Sequence, residues 1–277
     1  MIRLERVGGL GLAMGFSLIA SVVASAYPGG TPSYQTDVAP FCAGCHSSIV
    51  ESDLEGAGDR AAKETVAAKH LAPVAAGEGA YAELSEGDRA MLVEHIRTLD
   101  ANSSVTLEFP PRVEPGETFS VTASLTGGAG PVVALALVDR AHRWYARPAT
   151  AVGWTVVGAP TVIGQDGRPQ SNWSDKRPEE YGRGVSYVNV TGIESDAAAG
   201  SWASAKVIFA LKAPEKPGDY PLVGVYLYGT EKASPHGFKL SSLGWKMPRG
   251  TVSGASGRVR FTPQHTITVK EAPPLAE

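Results

Sequence analysis

Two cysteines and a histidine form the segment with the most specific chemistry in the chain, Cys42-Ala43-Gly44-Cys45-His46. In this C-x-x-C-H spacing, each of the two thiols can form a thioether to a vinyl group of haem. The imidazole of the next residue then lies under the iron as its proximal ligand. The segment contains both cysteines of the 277-residue chain. It therefore predicts one covalently attached haem c, with His46 on the iron.

Other uses of this cysteine pair fit the surrounding sequence less well. A thioredoxin-like redox pair belongs in a βαβ context, whereas the flanking residues here indicate short helices and loops. A disulfide across two intervening residues closes a very small loop and stabilises little. A zinc site needs further Cys or His ligands at close spacing, and the sequence offers none with the usual spacing.

The first 26 residues have the composition of a removable export signal. Arg3 and Arg6 give a positive start, residues 7–23 are apolar or small, and Ala24-Ser25-Ala26 is a small-residue cleavage pattern. We therefore expect a mature chain that starts at Tyr27 and is exported, in a bacterium to the periplasm. No later stretch has the roughly 18 apolar residues of a membrane span, so no transmembrane anchor is expected after signal removal.

The charge balance limits the class of partner. The chain has 25 Lys and Arg residues against 28 Asp and Glu, for a net charge of −3. This excludes a strongly basic nucleic-acid binder. A mildly acidic surface favours a basic redox partner protein, whose binding would weaken as salt rises.

The sequence pattern around the cysteine motif is helical up to about residue 101 and β-rich after it. Helical spacing is found at 61–71 and 86–99, with Ser85 as a candidate N-cap of the second helix. Alternating, β-branched sequences bounded by Gly and Pro follow, and they predict an antiparallel β-sandwich. The stretch 142–184 is long enough to hold an extra hairpin. The predicted strands are 105–109, 119–125, 132–138, 185–190, 205–211, 220–228 and 265–269.

Two parts of the chain resemble monohaem cytochromes c of the class I type. Residues 34–46 look like the N-terminal helix and haem motif of that family, and residues 84–99 are similar to its C-terminal helix. The resemblance covers about residues 31–100. It implies a small all-α domain that holds the haem beneath two crossing helices. The residues implied to line or back the haem pocket are Phe41, Leu71, Leu84, Leu92 and Ile96.

The distal haem ligand departs from this family pattern. The family usually supplies a Met from a loop before its last helix, and the corresponding span here contains none. Lys69-His70-Leu71-Ala72-Pro73 occupies that place, so His70 is the first candidate for the second metal ligand. His/His ligation implies a low-spin haem of low reduction potential. The alternatives are Met91 in the final helix, Met247 in the β-rich part and an open distal position.

The resulting fold prediction is a multidomain protein, in which a small all-α cytochrome c-like domain precedes an all-β immunoglobulin-like sandwich. The turn-then-strand segments 114–121 and 217–222 resemble openings of immunoglobulin-like domains. The predicted organisation is a signal peptide (1–26), a haem domain (27–101), a β-sandwich domain (102–271) and a disordered tail (272–277).

The functional prediction is an electron-transfer protein that carries single electrons between periplasmic redox partners. No catalytic residue is predicted, because the iron changes oxidation state and the protein tunes its potential and access. Two alternatives stay open. One is a haem enzyme or gas sensor with an open distal site, and the other is a β domain that binds a substrate and is served by the haem. The sequence leaves the oligomeric state open.

Overall fold

Two β-sheets make up most of this computed structural model, in which 41% of the described residues are strand and 22% are helical. The structure describes residues 48–49, 63–175, 177, 184–244, 246–250 and 256–270. The strands are β1 (Ser48–Ile49), β2 (Ser104–Glu108), β3 (Arg112–Val113), β4 (Thr118–Thr126), β5 (Ala129–Val138), β6 (Thr155–Val156), β7 (Thr161–Ile163), β8 (Pro169–Gln170), β9 (Tyr187–Thr191), β10 (Ser204–Lys212), β11 (Gly218–Gly229), β12 (Phe238–Leu240), β13 (Lys246–Pro248), β14 (Arg258–Phe261) and β15 (His265–Val269).

The helices are short apart from one. A π-helical segment, Val66–Leu71, leads directly into α1 (Ala72–Ala76), and α2 (Glu86–Ala101) is the longest helix described. A four-residue helix, α3 (Asn172–Asp175), lies in the long excursion after β5. The 3₁₀ turns are Gly79–Tyr81, Ala149–Val152, Glu231–Ala233 and Pro235–Gly237.

Strand β11 is the centre of the larger, seven-stranded sheet. It pairs antiparallel with β5, β14 and β15, and β5 in turn pairs with β9. The two-residue strands β1 and β3 add to β14 and β15 respectively, both in parallel. The sheet therefore collects strands from both ends of the described chain.

The smaller sheet is built on β4 and β10, which pair antiparallel over nine residues. Strands β2, β6, β7 and β8 complete it. Along β4 and β10 the side chains alternate between buried and more exposed positions, as expected for a sheet with one face on the core. Residues of both sheets share one hydrophobic core, which includes Val121, Leu135, Phe209 and Val225.

The larger sheet is covered on its second face as well. Strands β5 and β9 are buried at almost every position for which burial is described. The excursion after β5 contributes Trp173, whose ring lies 5.0 Å from that of Tyr187 on β9. Residues 66–101, called the helical part below, contribute Asp100 of α2, whose carboxylate accepts a hydrogen bond from Tyr228 on β11. The sheet is thus enclosed between the shared core and these covering segments.

The prediction of an all-α cytochrome c-like domain at residues 27–101 is wrong. In the described part of this range, one long helix is accompanied only by short helical turns, and Ser48–Ile49 is a strand of the larger sheet. The apolar stripe of α2 packs with Val66, Val74 and Tyr81 into a small cluster of its own. Leu71, Leu92 and Ile96 belong to that cluster, and Leu84 packs against it.

The β-rich fold predicted after residue 102 is present, and its seven predicted strands correspond to β2, β4, β5, β9, β10, β11 and β15. The extra hairpin expected in residues 142–184 is formed by β7 and β8. The predicted cap of α2 is also confirmed, since the Ser85 hydroxyl accepts a hydrogen bond from the Asp88 amide at 3.1 Å.

Replacement of Phe209 by alanine tests the shared core. Phe209 is fully buried in β10, so Phe209→Ala should lower the free energy of unfolding by about 3–5 kcal/mol. Val157→Ala is the control, because Val157 is 45% exposed and its loss should cost less than about 0.5 kcal/mol. Urea unfolding followed by tryptophan fluorescence measures both variants. Equal stability of the two would contradict the core assignment.

Candidate functional site

The predicted haem motif lies outside the described residues, and the described chain begins two residues after His46. Ser48 donates its amide hydrogen to the carbonyl of Gly257 at 2.7 Å, and Ile49 donates to the carbonyl of Glu64 at 3.0 Å. Both residues are buried, and Ser48 pairs with Arg258 at the edge of the larger sheet. The polypeptide that follows the motif is therefore fixed to the sheet.

Arg258 connects this sheet edge to the helical part. Its side chain is fully buried. The Nε atom donates to Oδ2 of Asp100 at 2.8 Å, and Nη2 lies 2.9 Å from Nδ1 of His70. One guanidinium thus contacts the end of α2 and the π-helical segment together.

A second centre of contacts is the carboxylate of Glu231, which is only 2% exposed. Its Oε1 lies 2.6 Å from Nε2 of His70 and accepts a hydrogen bond from the Tyr81 hydroxyl at 2.7 Å. Its Oε2 accepts a hydrogen bond from Thr230 at 2.8 Å. Together with Arg258, these four residues are called the Glu231 cluster below.

Local structure places each member of the cluster. His70 lies in the last turn of the π-helical segment, and Tyr81 closes the 3₁₀ turn before α2. Glu231 opens the 3₁₀ turn that follows β11, and Arg258 is the first residue of β14. The helical part therefore supplies His70 and Tyr81, while the β part supplies the remaining members.

The surroundings lower the pKa of Glu231 and raise the pKa of Tyr81. Burial acts to raise the pKa of the Glu231 carboxyl, but contacts with His70 and hydrogen bonds from Tyr81 and Thr230 outweigh it and lower that pKa to about 2. Burial, followed by the negative charge of Glu231, raises the pKa of the Tyr81 hydroxyl well above its ordinary value. Glu231 is therefore an anion at neutral pH, and Tyr81 stays protonated as a donor.

The structure places His70, the predicted distal ligand, with partners at both ring nitrogens. Its Nδ1 atom lies 2.9 Å from Nη2 of Arg258, and its Nε2 atom lies 2.6 Å from Oε1 of Glu231. Iron ligation by His70 would require one of these two contacts to break. His70 as a haem ligand stays a prediction.

The other ligand candidates of the sequence, Met91 and Met247, are both exposed, whereas His70 is fully buried. Met91 is 45% exposed on α2, and Met247 is 45% exposed on β13. His95 has its Nδ1 atom 2.8 Å from the Ser234 hydroxyl oxygen. Phe41, Cys42, Cys45 and His46 are outside the described residues. Among the residues that are described, no group of three or more His, Cys, Asp and Glu side chains could hold a metal ion.

Comparison with known proteins does not assign the chain to a family. No protein-family model matches it, and no curated protein matches it significantly. Within the part of the chain that the structure describes, no helix is long and apolar enough to cross a membrane.

Sequence reasoning missed Glu231, Arg258 and Tyr81, although one signal pointed to the first. Glu231 is the only acidic residue between Asp219 and Glu271, and it follows the apolar strand β11. A single acidic residue in such a segment is a candidate for a buried and partnered group. Its partners could not be identified, because His70 lies 161 residues away in the sequence.

The lowered pKa of Glu231 predicts a specific dependence of stability on pH. Its ionised form contributes stability above the ordinary pKa of 4.5, and this contribution is lost as the pH falls towards about 2. The shift corresponds to about 3 kcal/mol. Glu231→Gln should therefore lose less unfolding free energy than the parent between pH 5 and about 2.

Chemical denaturation at stepped pH measures this effect. Glu83→Gln serves as the matched control, because Glu83 is 70% exposed and also contacts an arginine. The control should keep the acid sensitivity of the parent. Identical acid sensitivity in Glu231→Gln and the parent would contradict the assigned role of Glu231.

Proposed function

We propose that this protein is an exported c-type haem protein that carries single electrons between redox partners. The observation that carries the proposal is the Cys42-Ala43-Gly44-Cys45-His46 segment, which contains the only two cysteines of the chain. Covalent haem attachment explains both thiols and the adjacent imidazole together. The export signal predicted at residues 1–26 fits the same chemistry, because haem c is attached after translocation.

The described residues next to the motif support a fixed attachment point. A fully extended chain spans at most about 3.6 Å per residue, so His46 is tethered within two such steps of Ser48. Ser48 itself is buried and hydrogen-bonded at the sheet edge. A fixed attachment point limits the range of positions that the iron can take. Electron exchange depends on the distance between the iron and the redox centre of the partner. Bound haem supplies the redox chemistry, while His46, Cys42 and Cys45 hold it.

The geometry of His70 supports a second candidate function, a haem enzyme or gas sensor with an open distal position. Both ring nitrogens of His70 already contact Glu231 and Arg258. A haem whose sixth position is not filled by His70 would bind a small ligand there. The two candidates share the covalent haem and differ only in the distal ligand.

Optical spectra of the purified exported protein test the haem assignment. The parent should show the sharp α-band of a reduced c-type haem after addition of dithionite. Cys42→Ser/Cys45→Ser should lose covalent haem, because it removes both thioether bonds. Ser47→Ala is the control, since it changes a neighbouring residue without thioether or imidazole chemistry. A parent protein without covalent haem would contradict the proposal.

Two measurements on His70→Gln separate the candidate functions. If His70 ligates the iron, the substitution should change the oxidised spectrum and allow the ferrous protein to bind carbon monoxide. If the sixth position is open, the parent itself should bind carbon monoxide, and His70→Gln should leave the haem spectrum unchanged. Glu231→Gln is the control for disruption of the cluster, because it perturbs the same buried contacts without removing the imidazole.

A further inference from the structure

The hairpin of β12 and β13 carries an unusual concentration of exposed apolar side chains. Leu240 and Leu243 are each 74% exposed, and Met247 is 45% exposed. Among the described residues only six large hydrophobic side chains are exposed, so half of them lie on this one hairpin. Single exposed apolar residues are ordinary, whereas a cluster of them marks an interaction surface.

The hairpin is held at its foot and pairs with no other strand among the described residues. Strands β12 and β13 form a two-stranded sheet of their own. At the foot, the Arg249 amide donates to the carbonyl of Gly237 at 2.7 Å, and its Nη1 donates to the carbonyl of Ala80 at 2.6 Å. These contacts hold the base of the hairpin against the helical part. Such support is needed because an isolated two-stranded hairpin is only marginally stable in water.

Two lysines flank the apolar side chains. In the hairpin register Lys239 is opposite Met247, and Leu240 is opposite Lys246, so each face of the hairpin carries one lysine beside one exposed apolar side chain. The ammonium group of Lys246 lies 3.9 Å from the centre of the Phe238 ring. The hydrocarbon chains of both lysines can lie along an apolar surface while the ammonium groups stay in water.

The charge of this region is opposite to that of the whole chain. No Asp or Glu occurs from residue 232 to residue 270, although the chain has a net charge of −3. In the described structure Glu194 and Asp196 line a cleft of about 570 Å³ together with Lys232 and Lys246, and Glu83 contacts Arg249 at the foot of the hairpin. Leu243 and Lys239 are not part of that cleft, so the turn end of the hairpin combines apolar and positive groups.

We propose that the β12–β13 hairpin docks the protein onto a membrane surface of anionic phospholipid. The hairpin enters the boundary between headgroups and acyl chains turn first, with Leu243 in the turn and Leu240 and Met247 on its two faces. Lys239 and Lys246 stay at the level of the phosphates. Burial of apolar area and attraction of lysine to anionic lipid are the two contributions that such a surface needs. The docking does not depend on the haem and goes beyond the proposed function.

Co-sedimentation of the full-length protein with vesicles tests the proposal. The vesicles are phosphatidylcholine with one quarter phosphatidylglycerol, compared with phosphatidylcholine alone. The parent should partition about thirtyfold more strongly to the anionic vesicles, since two lysines near such a surface together contribute about 2 kcal/mol and about 1.4 kcal/mol corresponds to a factor of ten. Leu240→Ser/Leu243→Ser should lower partitioning by about tenfold or more. Lys239→Gln/Lys246→Gln should bind both kinds of vesicle equally weakly.

Matched controls come from exposed residues elsewhere on the fold. Lys206→Gln/Lys216→Gln removes two exposed lysines outside the hairpin, and Val157→Ser removes an exposed apolar side chain. Both controls should bind anionic vesicles like the parent. Because all substituted side chains are at least partly exposed, each variant should keep the parent's thermal midpoint, which circular dichroism measures.

Three outcomes would overturn the membrane proposal. They are a parent that does not bind anionic vesicles, a parent that binds both vesicle types equally, and a Leu240→Ser/Leu243→Ser variant that binds like the parent. The first outcome would assign the exposed hairpin to a protein partner instead. The Cys42→Ser/Cys45→Ser protein should still bind vesicles, so failure of the haem assignment and failure of membrane docking are distinguishable.

Discussion

The buried carboxylate of Glu231 holds the helical and β parts of the described chain together. Removing a carboxylate from water costs several kcal/mol unless donors replace the lost hydration. Here the donors come from both parts, with His70 and Tyr81 on one side and Thr230 on the other. Separation of the two parts would remove the contacts of Glu231 with His70 and Tyr81. These contacts join the two parts together with those of Asp100 to Tyr228 and Arg258.

Arg258 extends this network to Ser48, the first described residue after residues 42–46. It contacts His70 and Asp100 through its side chain and pairs with Ser48 through the strand register. The residue two positions after His46 is thereby linked to the same buried cluster. The helical part packs on the sheet, and in the proposed function it fixes the chain that would hold the haem.

The sequence predicted the elements whose signals are local. Strands such as β4 and β10 alternate over nine residues, and the Ser85 cap depends on a contact three residues away. The prediction of an all-α haem domain was wrong because the apolar stripe of Leu71, Leu92 and Ile96 can be buried by any apolar group, whether a side chain or a cofactor. Val66, Val74 and Tyr81 provide it, and the spacing of the stripe does not distinguish them from a cofactor.

Contacts between distant residues could not be predicted from spacing or composition. Glu231 stands out as a single acidic residue in a long acid-free region, but its partners His70 and Tyr81 are 161 and 150 residues away. The distal ligand was assigned from family position alone, and such a position does not reveal that Glu231 and Arg258 contact the same imidazole. Exposure of the β12–β13 hairpin likewise depends on which surfaces the tertiary structure leaves uncovered.

Mass spectrometry of the exported protein tests covalent haem attachment without any assumption about the distal ligand. Attachment predicts an intact mass equal to the mature chain plus one haem. Proteolysis should place the added mass on the single peptide that contains both Cys42 and Cys45. An unmodified peptide with two free thiols, or with a disulfide between them, would contradict the account.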